Sequence, residues 1–380
     1  MKLYKYFFIT LFACNLMAQN SKTIVFEVVT KDLDTSYSVY ITGNLKELGS
    51  WNPSKAPMQK VSDNLWRKTF LLEKDSDVEF KFTLGSWSKE ALDKDGHVPY
   101  NNILSVKNDT TIVFKIDKWK DGDNTAVIYG QVTGKVDRIN GMSYPGLKSR
   151  DVLVWLPPNY ESDKRKHYPV LYIHDGQNVF DPKTATFGTD WQIDETADSL
   201  IRGGGMKEII IVAINNTDDR IQEYSYTELG KKYMEFIVKK LKPYIDKNYR
   251  TLPDRKNTAT MGSSMGGLIS FMLVWEHTKV FSMAGCLSAA MAVKGEKLNY
   301  NQFIESYKGK KKDIKIYFDN GSIGLEKRLQ PGIDEALALL KARGHKENKD
   351  LEWFLDEGAD HNEAAWAKRV WRPLLFMFGK

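Results

Sequence analysis

The sequence predicts two domains of different class: a small all-β sandwich of immunoglobulin-like type, then a larger α/β domain on a mostly parallel, doubly wound sheet. Three observations carry this. Short β-prone runs separated by polar turns fill the chain to about residue 118, with no helical period among them. Beyond about residue 190, helical signatures alternate with apolar strand-like runs. The stretch "TATMGSSMGGL", residues 258–268, adds two serines between glycines after a β-prone run and before an apolar helical one. At 380 residues the chain has room for both domains, and 42% hydrophobic with 27% charged content suits a globular protein with a sizeable core.

The N-terminus "MKLYKYFFITLFACNLMAQ" has Lys2 and Lys5, an apolar run from Tyr6 to Phe12 and small residues near Ala18, the layout of a secretory signal peptide. Residues 1–18 are expected to be removed, leaving a chain that begins near Gln19 and is secreted or periplasmic. Lipid attachment at Cys14 in "LFAC" is the alternative, against which the bulk of Phe12 argues. No other segment approaches the roughly 18 apolar residues of a membrane span. Without the signal, Cys286 is a lone thiol and no internal disulfide forms. The net charge of +6 becomes +4 once Lys2 and Lys5 are removed, with basic residues dispersed, so nucleic-acid binding has little support.

The runs "TIVFEVV", "YSVYITG", "LWRKTFLL", "DVEFKFTLG" and "TTIVFKI" read as the strands of the sandwich, residues 20–118. Charge and Gly/Asp/Asn in "DKWKDGDNTA" interrupt the pattern and mark a linker at 119–125. In residues 126–380, "PVLYIHDG", "EIIIVAIN", "DIKIYFDN" and "LEWFLDEG" read as strands, and "KKYMEFIVKKLKPYIDKNY" and "GIDEALALLKARG" as helices.

"GSSMG", residues 262–266, fits Gly-x-Ser-x-Gly centred on Ser264. A nucleophilic serine on a tight strand-to-helix turn needs glycine on both sides for close backbone approach, and the helix N-terminus behind it favours developing negative charge. The bland alternative is a glycine-rich helix start with Ser263 as N-cap. A serine hydroxyl needs a base to remove its proton. In the α/β-hydrolase order of nucleophile, acid, histidine, the base follows Ser264, which leaves His277, His345 and His361. Only His361, in "DEGADHNEAAW", follows a strand at its C-terminal end, where α/β sheets place their sites. The acid belongs after "IKIYF", where Asp319 and Glu326 both qualify.

These residues resemble the esterases related to esterase D, which include the family 1 carbohydrate esterases (feruloyl and acetyl xylan esterases) and the enterochelin esterases. The likeness spans about residues 126–380 through "VWLPPNY", "YPVLYIHDGQNVFD", "DWQIDE", "RIQEYS", "LKPYIDKNYRTLPDRKNTATMGSSMGGLIS" and "GADHNEAAW". Members often carry Gly-Thr-x-x-Leu-Asp after the strand preceding the acid; "GSIGLE" stands there, so the resemblance favours Glu326, with Glu in place of Asp. It implies that "HDGQN" is the oxyanion loop, with the N–H groups of Gln177 and Met265 facing the oxyanion, and that Asn178, Trp191, Arg220 and Tyr224 line the pocket. His174 and Asp175 are read as shaping that loop.

"VYITGNLKELGSWNPSKAPM", "NLWRKTFLL" and "VEFKFTLGSW" resemble a starch-binding domain of the family 20 carbohydrate-binding modules, over about residues 22–118. Trp66 and Trp87 are the candidates for stacking on sugar, with Trp51 structural. In "GHVPYNN" Asn101 is kept, and Asn102 replaces the arginine common in the family. The whole reads as an exported serine esterase with no metal or organic cofactor, acting on acyl or aromatic esters of a polysaccharide or its oligomers, its first domain a candidate α-glucan binder. A siderophore or other small ester is the alternative substrate. A non-catalytic polysaccharide-binding protein is the alternative class.

Overall fold

The computed structural model describes residues 21–72, 76–94, 99, 102–120, 131–292 and 299–380. The expected signal peptide, Cys14, Asn101 and most of the expected linker lie outside the described residues. The chain divides into two compact units, Met1–Val127 and Ile128–Lys380.

The first unit is all β. Strands β1 (Lys22–Thr30), β2 (Tyr40–Gly43), β3 (Gln59–Ser62), β4 (Leu65–Leu72), β5 (Ser76–Thr83), β6 (Ala91–Leu92), β7 (Asn102–Val106), β8 (Thr110–Ile116) and β9 (Lys118–Trp119) form sheets ordered β3-β4-β1-β8 and β2-β5-β7, with a short β6-β9 pair. Alternation sets the inner face: Ile24, Phe26 and Val28 of β1 are buried with Phe70 and Leu72 of β4 and Val78, Phe80 and Phe82 of β5. Phe26 and Phe80 meet with ring centroids 4.5 Å apart.

Trp66 corrects one expectation. It pairs in register with Val28 on the inward face of β4 and is 5% exposed, so its ring belongs to the core and presents no face to a sugar. Trp87, in a 3-10 turn after β5, is half-buried and keeps part of its surface open. Trp66→Ala is expected to destabilise this unit by about 3–5 kcal/mol, the range for emptying a buried tryptophan site. Thermal melts should show that loss for Trp66→Ala and nearly none for Trp87→Ala.

The second unit is built on one sheet of strands β10 (Lys135–Tyr144), β11 (Leu147–Leu156), β12 (Val170–His174), β13 (Ile210–Ile214), β14 (Thr258–Ser263), β15 (Met283–Leu287), β16 (Lys315–Asn320) and β17 (Leu351–Leu355), in the order β10-β11-β13-β12-β14-β15-β16-β17. β10 and β11 pair antiparallel with their neighbours, and the strands from β13 through β17 run parallel. Central strands are apolar throughout because both faces are covered. Val170 and Tyr172 of β12 enter one core, with helices α3 (Glu228–Phe236), α4 (Lys242–Asn248), α5 (Met265–Glu276) and α7 (Glu326–Ala342). Leu171 and Ile173 enter the other, with α1 (Ile193–Arg202), α8 (Glu363–Arg369) and α9 (Trp371–Phe378). Two shorter helices, α2 (Arg220–Glu223) and α6 (Asn301–Ser306), lie in the loops after β13 and β15. Helix α5 is apolar all round, and Met265 through Trp275 are buried, as such a helix must be.

The helix expected from Gly332 begins earlier, at Glu326, with Pro331 inside it. Proline removes one backbone donor there, and the start is anchored by Asn320 Nδ2 donating to the Glu326 carbonyl at 2.9 Å. Glu326 thus sits on the first helical turn after β16 and not in a loose loop.

Candidate active site

Ser264 sits between β14 and α5 with φ 56° and ψ −121°, a conformation that costs a non-glycine residue roughly 1–3 kcal/mol and persists only where the surroundings impose it. They do so through the backbone. The Ser264 N–H donates to Leu287 O at 3.0 Å, and its C=O accepts from the N–H groups of Leu268 and Ala290 at 3.1 and 3.0 Å. Gly262 is required by close approach, since a Cβ there would lie 2.5 Å from the Gly266 carbonyl oxygen. Ser263 is buried within the strand, whereas Ser264 is half-buried and its side chain caps no helix N–H. The two serines are therefore not equivalent: only Ser264 offers a hydroxyl to the outside.

His361 follows β17, directly before Asn362, whose side chain accepts from Ala365 N–H and caps α8. The His361 ring lies edge-on to Trp366, centroids 5.0 Å apart, and its Nδ1 stands 3.2 Å from Glu326 Oε2. Neither atom has a hydrogen-bond partner of regular geometry, so the contact is one of proximity between two otherwise uncommitted atoms. Burial alone would push the Glu326 carboxyl up, but His361, Ser288 and Arg369 outweigh it and hold the group below its ordinary value. Asp319 has a different partner: Arg369 Nε lies 3.1 Å from its Oδ1, and burial pushes it up to about 6 against that cation. Of the two carboxyls left open by the residue order, Glu326 is the one in contact with the imidazole. Arg369, 2% exposed and set between both acids, escaped sequence reasoning. A charged residue on the buried stripe of "EAAWAKRVW" was the available signal.

The loop after β12 is held from several sides. Asp175 has φ 57° and receives both Arg220 Nε and Nη2 at 2.7 Å, with Asn216 Nδ2 at 2.6 Å. Burial would raise the Asp175 carboxyl, and Arg220 with Asn216 overcomes it, leaving the group below its ordinary value. Asn216 N–H donates to Gln177 Oε1 at 3.2 Å and Thr184 Oγ1 to Gln177 O at 2.8 Å. Met265 opens α5, where first-turn N–H groups have no intrahelical acceptor. His174 is fully buried between Tyr233 OH and Thr260 Oγ1, and burial lowers it to about 3, so it is neutral and structural.

Three of the four residues expected to line the pocket are buried. Trp191 is 1% exposed and packs on Trp366, ring centroids 5.5 Å apart. Tyr224 is wholly buried, and its hydroxyl accepts the Asp175 N–H at 3.3 Å. Asn178 spends its amide on Glu363 Oε1, at 3.1 Å, and on Thr186. Arg220 is committed to Asp175, as above. Trp191, Tyr224 and Asn178 brace the loops around the site, whereas Arg220 holds Asp175 and keeps 27% of its side chain exposed beside it.

Among the described residues one group of carboxylates, Asp190, Asp194 and Glu195, is close enough to hold a metal ion. Asp194 Oδ2 accepts the Thr133 N–H at 2.6 Å, and burial with Glu195 alongside raises its carboxyl far above the ordinary range.

Residues 147–377 match the family described as "Putative esterase". The chain belongs to that family of carboxylic ester hydrolases. Residues 21–112 of the same protein match the family described as "Starch binding domain". A Xylanibacter ruminicola protein named endo-1,4-beta-xylanase/feruloyl esterase is 27% identical over 247 residues, 62% of this chain and 30% of that one. The match therefore covers less than a third of that relative's length. An amylopullulanase of Thermoanaerobacter thermohydrosulfuricus is 27% identical over 135 residues, 33% of this chain and 9% of that protein. Among solved structures, a ferulic acid esterase shares the fold at TM-score 0.55 and 23% identity, covering 65% of this chain and 98% of its own. The enterobactin esterase of Shigella flexneri does so at 0.55 and 13%, covering 93% and 92%. No helix among the described residues of this esterase is long and apolar enough to cross a membrane.

Proposed function

We propose that the second unit is a serine esterase in which Ser264 is the nucleophile, His361 the general base and Glu326 the acid that orients it. The observation that supports this best is the strained Ser264 elbow on the same C-terminal sheet edge as the His361–Glu326 pair, 3.2 Å apart. With Nδ1 turned to Glu326, His361 Nε2 takes the Ser264 proton as Oγ attacks the ester carbonyl. The Gln177 and Met265 N–H groups receive the oxyanion, each such donor being worth about 3 kcal/mol in the transition state. His361 then protonates the leaving alcohol, activates water against the acyl-enzyme and returns the proton to Ser264. The Ser264 proton leaves with the alcohol and a proton of water replaces it through His361, so the cycle asks for no cofactor.

The substrate class we propose is an acyl or aromatic ester on a polysaccharide or oligosaccharide, reached by an exported protein. The signal-like N-terminus, the starch-binding match and the feruloyl esterase relative support it. The fold shared with the enterobactin esterase across both units supports a second reading, a small siderophore-like ester at the same site. Purified enzyme offered feruloyl, acetyl and siderophore esters, alongside starch pull-down, separates these readings. Turnover of feruloyl or acetyl oligosaccharides is expected, and turnover of the siderophore ester alone would favour the second. Inertness toward all of them and toward p-nitrophenyl acetate would leave a polysaccharide-binding protein.

A further inference from the structure

Ser288 follows β15 and is fully buried with φ 43°, a left-handed conformation in which glycine would be at ease and serine is not. Its side chain explains what the backbone does not. Trp366 Nε1 lies 3.0 Å and Arg369 Nη2 2.8 Å from Ser288 Oγ, and both groups can only donate. A hydroxyl has two lone pairs and one proton, so these donors fill its acceptor capacity. The third neighbour is Glu326 Oε1 at 2.6 Å, a distance typical of a hydroxyl donating to a carboxylate. The Ser288 proton therefore has one place to go. A proton on Glu326 Oε1 would find no lone pair left on Ser288, so the arrangement selects the ionised acid and leaves Oε2 for His361.

The same short segment grips the nucleophile. Leu287 O accepts the Ser264 N–H and Ala290 N–H donates to Ser264 O, while Ser288 N–H donates to Asp319 O at 2.9 Å. Resting on the serine-esterase reading, we infer that Ser288 is a positioning residue that fixes the Glu326 carboxylate toward His361 and ties that acid to the elbow of Ser264. Arg369 orients the hydroxyl from α8 while neutralising Asp319, and Asp356, at 3.4 Å from Arg369 Nη1, completes the charge around it. Asp360 and Glu363 flank His361 in sequence; Asp360 Oδ1 accepts the His361 N–H, and Glu363 Oε1 is taken by Asn178.

Ser288→Gly removes the hydroxyl and suits the backbone angle, so it tests the side chain without adding backbone strain. A hydrogen bond to a charged group predicts a kcat lower by about 10- to 100-fold on p-nitrophenyl acetate. KM should stay near wild type, while the melting temperature falls because Trp366 Nε1, Arg369 Nη2 and Glu326 Oε1 lose a buried partner. In a Glu326→Gln background, Ser288→Gly should cause almost no further loss, because the hydroxyl acts through that carboxylate. Turnover of Ser288→Gly is read well below its own melting temperature, so that lost stability is not counted as lost kcat. A kcat within about twofold of wild type overturns the inference, as does a loss that repeats in full on Glu326→Gln. If wild type and Ser264→Ala turn over equally, the esterase reading falls and this inference with it. A Ser264-dependent enzyme indifferent to Ser288 overturns the inference alone.

Discussion

Ser264→Ala and His361→Ala are each expected to lower kcat on p-nitrophenyl acetate by about ten-thousand-fold or more, and the double variant to lose little beyond either single one. A nucleophile and its base act as one unit: without the imidazole the hydroxyl keeps its proton, and without the hydroxyl the imidazole has nothing to activate. The non-additivity is the informative part. Losses that multiply in the double variant would mean that the two residues serve separate steps. Both variants should fold, because Ser264 is held through its backbone and His361 lies outside the two apolar cores.

Glu326→Gln is expected to cost about a hundred- to ten-thousand-fold in kcat, the scale seen when the orienting acid of such a set loses its charge. Asp319→Asn should leave kcat within about tenfold and act on stability. Asp319 is fully buried against Arg369, whose charge would then rest on Asp356 and Glu326 alone, at a cost of about 1–3 kcal/mol. The two variants thus separate by readout, one in turnover and the other in melting temperature. A larger turnover loss for Asp319→Asn would assign the acid to the strand end instead.

Much of the second unit was legible in the sequence because each local signal agreed with the next. Apolar runs without alternation meant a sheet covered on both faces, and glycines at 262 and 266 meant backbone contact at a turn. The start of α7 was hidden by Pro331, which reads as a stop but costs a single hydrogen bond when Asn320 anchors the turn before it. Trp66 was misread although its signal was present: in "LWRKTFLL" it shares its alternating face with Phe70 and Leu72, which are core. Trp191, Tyr224 and Asn178 were placed at the right end of the sheet, but sequence spacing says nothing about whether a side chain turns to substrate or to a neighbouring loop. Ser288 and Arg369 gave no motif at all. Their meaning lies in three elements, β15, α7 and α8, meeting at one carboxylate.

The central claim, that Ser264 is the nucleophile, is tested most directly by reacting the enzyme with a p-nitrophenyl phosphonate and locating the adduct by peptide mass spectrometry. The account predicts one phosphonyl group per chain, on Ser264, with loss of ester hydrolysis in proportion to labelling and no label on Ser264→Ala. An adduct on Ser263, or ester turnover that survives complete labelling of Ser264, would contradict it.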